Sequence, residues 1–197
     1  MPRPRSALGR PDKATRTRAR EVETALQRLA RLSEKLMQLA RAEGGGLQAE
    51  APVDLVPILR MVVADMSRDN ADRIELALPA GPVMASIDPD AFAILARNLI
   101  ENALRHGAQD LPIQVSLSAG GVLRVVNAGP VIPADLLGRL TRPFERGPTE
   151  ARGSGLGLAI ARAIAAGTGG RLDLISPAAG RAEGFEARFS ASGTGSG

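Results

Sequence analysis

Two asparagines and an arginine, Asn98, Asn102 and Arg105, recur at spacings of four and three in DAFAILARNLIENALRH, residues 90–106. On a helix this spacing places them on one stripe, beside an apolar stripe of Phe92, Leu95, Ala96, Leu99 and Ala103. Asparagine is a mediocre helix former that prefers caps and turns, so two of them bordering a core stripe need a reason. An amide offers an oxygen to a hard cation and two N–H donors to phosphate. Arg105, a turn further on, would add charge for the same anion. A second group lies in RGSGLGLAIARAIAAGTGG, residues 152–170, where Gly153, Gly155 and Gly157 alternate ahead of a run of helix formers. Glycines let a backbone approach an anion closely, and a helix N-terminus adds its dipole. Ser154 would cap that helix or donate to a phosphate. The same residues also fit a polar border on a buried helix and an ordinary turn before another.

The rest of the composition removes several alternatives. The 197 residues contain no cysteine, one histidine (His106), four phenylalanines and no tyrosine or tryptophan. Disulfides, thiolate chemistry and multi-histidine metal sites are thereby excluded, as is an aromatic platform for single-stranded nucleic acid. The two lysines, Lys13 and Lys35, both precede the glycine segment, which therefore is no P-loop. Nor is there a strand lysine of the kind that eukaryotic-type protein kinases place on ATP phosphates. Leu158 stands where a dinucleotide-binding loop has its last glycine. Seven Lys or Arg against the single acid Asp12 make residues 1–20 basic, read as a solvated tail with no nucleic-acid partner expected. No apolar run reaches the roughly 18 residues of a membrane span, which places the chain in the cytoplasm.

Elements that would position these groups follow from periodicity. Residues 1–14 read as a tail. Residues 15–43 read as one amphipathic helix, with Val22, Leu29, Leu36 and Ala25, Leu32, Leu39 forming a heptad seam that needs a partner. Residues 44–51 read as a linker and 52–191 as a catalytic domain, followed by a tail at 192–197. Within it, strands are expected near 53–55, 73–78, 83–86, 113–118, 122–127, 171–176 and 185–190. The segment 83–86 is taken as the hairpin partner of 73–78. Helices are expected from about 55 to 66, from Pro89 to His106 with Asp88 as N-cap, and from about 154 to 167. Strands and helices mix without a regular βαβ alternation. The expected fold is α/β, a two-layer sandwich with helices on one face of a mixed sheet.

Four segments, NLIENALRHG (98–107), VVNAGPVIP (125–133), RPFERG (142–147) and GSGLGLAIA (153–161), match in order and spacing the motifs of sensor histidine kinases of two-component systems. LMQLARAEGG (36–45) resembles the end of the second helix of that family's dimerisation hairpin. The resemblance implies the Bergerat-type ATPase fold shared with gyrase and heat-shock chaperones, preceded by a long dimerisation helix. It implies ATP and Mg²⁺ as ligands, with Asn102 on the metal and Asn98 and Arg105 on the phosphates. His106, Asn127, Gly129, Val131, Phe144, Arg146, Gly153, Ser154, Gly155, Leu156, Gly157 and Leu158 complete the implied ATP site. Residues 129–153 form the implied ATP lid. Hydrolysing relatives carry a glutamate base where Asn98 stands, and an amide cannot take a proton from water. Glu101, the nearest carboxylate, is implied in activating an acceptor histidine. The implied partners are a response regulator and, through residues 15–43, a second copy of the chain. Any contact with a membrane would come through regions preceding this chain.

Three departures stand out. The acceptor histidine is absent: RSAL at residues 5–8 faintly echoes the motif, with no histidine before it. The chain then is either a piece of a longer kinase or a degenerate relative. Asn127 replaces the aspartate that accepts from the adenine amino group, and an amide can turn to offer either acceptor or donor. Val131 replaces the motif's second glycine, and a β-branched residue resists positive φ, so it narrows the adenine pocket or reshapes the lid. A scaffold without nucleotide binding is the competing reading, opposed by both asparagines and the complete second glycine motif. An anti-sigma-type serine kinase is a third, opposed by the long helix. The missing acceptor predicts negligible transfer of the γ-phosphate of ATP to this chain alone, and acid-labile, base-stable labelling of the purified protein would refute it.

Overall fold

The computed structural model describes residues 13–68, 70, 72–145 and 154–192. The chain divides into two compact units, Met1–Glu34 and Lys35–Gly197, and the boundary falls inside the first helix, α1 (Lys13–Glu43). In the first unit α1 leaves Val22, Leu26 and Leu29 about 60% exposed, an apolar stripe facing water.

In the second unit β1 (Val53–Asp54) leads into α2 (Leu55–Ser67), then β2 (Ile74–Ala77), β3 (Met84–Ala85) and α3 (Pro89–His106). Next come β4 (Ile113–Leu117), β5 (Val122–Asn127), the short α4 (Ala134–Leu137), α5 (Gly157–Gly167), β6 (Arg171–Ile175) and β7 (Phe185–Ser190). Five strands form one sheet in the order β2-β4-β5-β7-β6, parallel between β2 and β4 and antiparallel elsewhere. Alternation decides which face is buried: Ile113, Val115 and Leu117 of β4 and Leu123 and Val125 of β5 point inward. They meet Leu55 and Leu59 of α2, Phe92, Leu95 and Leu99 of α3 and Ile160 and Ile164 of α5 in one core. Phe92 and Phe189 pack there with ring centroids 6.4 Å apart. This is the expected two-layer α/β sandwich with a mixed sheet.

The pairing of β3 and the packing of the expected linker differ from the sequence reading. β3 is no hairpin partner of β2. It pairs antiparallel with β1, and β2 pairs in parallel with β4 across α3, a single β–α–β crossover. The Asp54 carboxylate explains the choice: its Oδ1 accepts from both Val56 N and Val83 N at 3.0 Å, capping α2 and fastening β3 together. Residues 47–48, read as linker, are packed on the domain. Asp88 N donates to Leu47 O (2.8 Å), and Gly167 lets Leu47 Cδ1 and Ala42 O approach to where a Cβ would stand 3.1 and 3.3 Å away.

On the outer face of the sheet Glu186 is fully buried between two arginines. Arg124 forms two bonds of 2.9 Å with it, Arg188 reaches Oε1 at 2.8 Å, and Ala179 N donates at 3.2 Å. The Arg124 hydrogen bonds, with those of Arg188, pull the carboxyl down to about 2 against burial. A depressed folded-state pKa means that its contribution is complete above the unfolded value of 4.5 and lost as pH falls toward 2. Both arginine heads reach solvent, which reduces the pair's worth. Glu186→Gln is expected to lower stability by about 1–3 kcal/mol at pH 7. In denaturant titrations the gap from the parent should close between pH 4.5 and 2, and a gap that does not change with pH would contradict this.

Candidate nucleotide-binding site

α3 carries both core and site. Asp88 caps it by accepting from Ala91 N (2.9 Å), and Pro89 opens it, as the sequence predicts. Asn98 is only 2% exposed although polar. Its Nδ2 donates to Ile94 O (2.8 Å), and its Oδ1 accepts from Lys35 Nζ at 2.6 Å. Glu101 is paired with the same ammonium at 3.0 Å. Asn102 and His106 are half-buried and Arg105 is exposed, so the stripe surfaces toward its C-terminal end. Burial, and then the nearby Arg105 charge, lower the His106 pKa, which favours a neutral imidazole at pH 7.

α5 starts at Gly157, three residues later than the sequence suggests, because Gly155 turns the chain at φ +69°. A Cβ there would stand 2.8 Å from Glu145 O and 2.9 Å from the Phe144 backbone. Gly155 therefore serves a tight turn against Phe144 and Glu145, closed by Phe144 N donating to Gly155 O (3.0 Å). Gly157 faces the asparagine stripe, with its missing Cβ 3.3 Å from Asn98 Oδ1. Ser154 Oγ accepts from Leu156 N (3.3 Å), so it orders the approach to α5 and does not cap it. Among the described residues no side chain caps α5, and its first-turn N–H groups remain for another acceptor. Leu156 is fully buried and Leu158 nearly so, anchoring this end of the helix in the core.

At the other end of α3 lies Asn127, 3% exposed. Its Nδ2 donates to Ala128 O (3.0 Å), while Oδ1 is buried without a partner. The amide is thus oriented, since a flip would set two oxygens against each other. Gly107 makes room for it, because a Cβ there would lie 2.9 Å from Asn127 Cβ. Gly129 adjoins both His106 O and Asn127 Nδ2. Val131 is 48% exposed and avoids positive φ, so it escapes the strain expected of it. Phe144 does adopt φ +65°, and its ring is 60% exposed. Arg146 and Gly153 lie outside the described residues.

The residue that sequence reasoning passed over is Lys35. The sequence uses this lysine only to argue against other ATP sites, yet it reaches Asn98 and Glu101 from 63 and 66 residues away. One signal was available: Lys35 lies four residues before Leu39 and seven before Ala42, on the half-buried face of α1.

These groups suit a nucleoside triphosphate with its metal. A buried, unpaired amide oxygen fits an exocyclic amino group. Uncapped helical N–H groups beside glycine fit phosphate. Among the described residues no cluster of three His, Cys, Asp or Glu could cage a metal. Mg²⁺ commonly arrives with phosphates and needs few protein oxygens, and the Asn102 amide can supply one.

Residues 87–193 match the family described as histidine kinase-, DNA gyrase B- and HSP90-like ATPase. Sensor protein QseC of Escherichia coli (strain K12) is 31% identical over 177 residues, 86% of this chain and 38% of that protein. The probable sensor histidine kinase HK of Mycobacterium tuberculosis is 32% identical over 187 residues, 92% of this chain and 49% of that one. The chain thus spans less than half the length of these relatives. In fold it resembles full-length ShkA, solved in complex with AMPPNP, with a TM-score of 0.69 at 24% identity over 93% of this chain and 40% of that one. Among the described residues no helix is long and apolar enough to cross a membrane. The chain belongs to the histidine kinase-, DNA gyrase B- and HSP90-like ATPase family, as the catalytic domain of a sensor histidine kinase.

Proposed function

We propose that this chain binds Mg²⁺·ATP and presents the γ-phosphoryl group to a histidine outside its own sequence, for relay to a response regulator. The observation that carries the reading is the pairing, along α3, of an orphaned acceptor beside its C-terminal end (Asn127 Oδ1) with an uncapped helix start beside its middle, at Asn98. Asn127 accepts from the adenine amino group, and Gly129 and His106 border it. Gly157 and the first turn of α5, with Asn98 and Arg105, take the phosphates, and Asn102 gives an oxygen to the metal. When bound, the metal would neutralise phosphate charge. Residues 129–153, with Phe144, Arg146 and Gly153, act as the lid over the nucleotide. Glu101 orients or deprotonates the incoming imidazole. With an amide at position 98, water lacks a base there, and free hydrolysis is slow. In this reading 15–43 is a dimerisation helix that seats its apolar stripe on a second copy, and 52–191 is the ATP-binding domain.

Titration calorimetry tests the assignment. Asn102→Ala should weaken ATP binding in Mg²⁺ by about tenfold or more, or 1.4 kcal/mol, with little change in EDTA. Undiminished Mg²⁺-dependent binding would remove Asn102 from the metal. Asn127→Leu deletes one neutral hydrogen bond, and a cost near 1 kcal/mol corresponds to roughly five- to tenfold in ATP affinity. Because Ala128 O fixes the amide, the parent should also prefer ATP to GTP. Equal affinity for both nucleotides in parent and variant would take Asn127 out of the adenine contact.

A further inference from the structure

Among the described residues Lys35 is the cation seated between Asn98 and Glu101 of α3, and the motifs assign it nothing. Its side chain is 19% exposed and lies between Asn98 Oδ1 (2.6 Å) and Glu101 Oε2 (3.0 Å). Two of its three N–H groups are used there, which leaves one for a ligand. Asn98 Oδ1 also faces Gly157, so the ammonium stands beside the start of α5. A helix N-terminus carries partial positive charge and is a poor neighbour for a lysine, unless both serve an anion. Without Lys35, the Glu101 carboxylate would repel that anion, and Asn98 would have only its remaining Nδ2 hydrogen to offer it. Position along α3 says which phosphate is involved. Nine residues separate Asn98 from Gly107, which adjoins Asn127. At helical rise this sets Asn98 about 13 Å along the helix axis from the residue that adjoins Asn127. The ammonium thus sits at the far end of the site, where a triphosphate ends and a diphosphate falls short.

We propose that Lys35 is a nucleotide-binding residue contributed by α1, whose ammonium, oriented by Asn98 and Glu101, contacts the terminal phosphate of ATP and sets selectivity for ATP over ADP. The proposal rests on the reading of the site as an ATP site. Its consequence is that the C-terminal part of α1, Lys35–Glu43, belongs to the nucleotide site of the second unit. The test is calorimetric titration of the full chain with ATP and with ADP, each in Mg²⁺, for the parent, Lys35→Met and Lys35→Arg. Thermal unfolding of each protein checks that it is folded. Lys35→Met should lose about tenfold in ATP affinity and less than about threefold in ADP affinity, while Lys35→Arg keeps most of the selectivity. A methionine variant that binds ATP as tightly as the parent, or more tightly, overturns the proposal and leaves the ATP site standing. Equal losses for ATP and ADP also overturn it, because they mark a structural role. A parent that binds neither nucleotide overturns the site reading and the proposal together. Should Lys35→Met fail to fold, an unchanged ATP-to-ADP preference in Lys35→Gln would overturn it equally.

Discussion

The second unit turns on one buried amide. Asn98 lies where α3 meets α5, and its side chain must be satisfied inside protein. An unpaired amide at that depth costs on the order of 1–3 kcal/mol. Ile94 O takes the Nδ2 hydrogen and the Lys35 ammonium answers the oxygen. Gly157 leaves space for the oxygen, and the close approach brings the first turn of α5 against it. Helix packing, the uncapped start of α5 and the seating of α1 residues on the domain all meet at this amide. A larger residue at 157 or an apolar one at 98 would therefore disturb packing and site chemistry together.

The parts of the fold that were legible in sequence are those governed by local rules. Asp88, Pro89 and the stripe of Phe92, Leu95 and Leu99 specify α3 because cap and period lie within one segment. β4 and β5 follow from alternation around Gly120-Gly121. The pairing of β3 was not legible, since the short segment 83–86 fits several partners. What decides is the Asp54 carboxylate, 29 residues away from Val83 N. The start of α5 was placed early because a left-handed turn at Gly155 leaves no mark beyond the glycine itself. Of the candidate site, Asn98 and Asn102 could be read because α3 has a clear period, and the glycines because they alternate ahead of a run of helix formers. Lys35 could not, because its partners come from α3 and the separation hides the contact.

The exchange of aspartate for asparagine at 127 follows from surroundings as much as from any ligand. The position is buried, and its nearest polar neighbour is the carbonyl of Ala128. A carboxylate there would carry a desolvation cost and face a carbonyl oxygen, whereas the amide donates to that oxygen and keeps its own oxygen inward. The amide thus gives up some strength as an acceptor in return for an orientation fixed before any ligand arrives. At Glu186 the opposite solution holds: a charge is buried because two guanidinium groups and a backbone N–H surround it.

The two walls of the candidate site differ in how firmly they are built. Asn98 and Asn127 stand among fully buried neighbours, but from Ala128 to Glu145 only Leu140 is buried. A wall with so little apolar area opens by local fluctuation, at a small fraction of the global unfolding free energy, while α3 opens only with the whole domain. Amide hydrogens on the two sides of one ligand would therefore exchange with solvent on separate timescales. If residues 129–153 act as the proposed lid, nucleotide release needs a loss of order on one wall only, and not the unfolding of the helix that holds the asparagines.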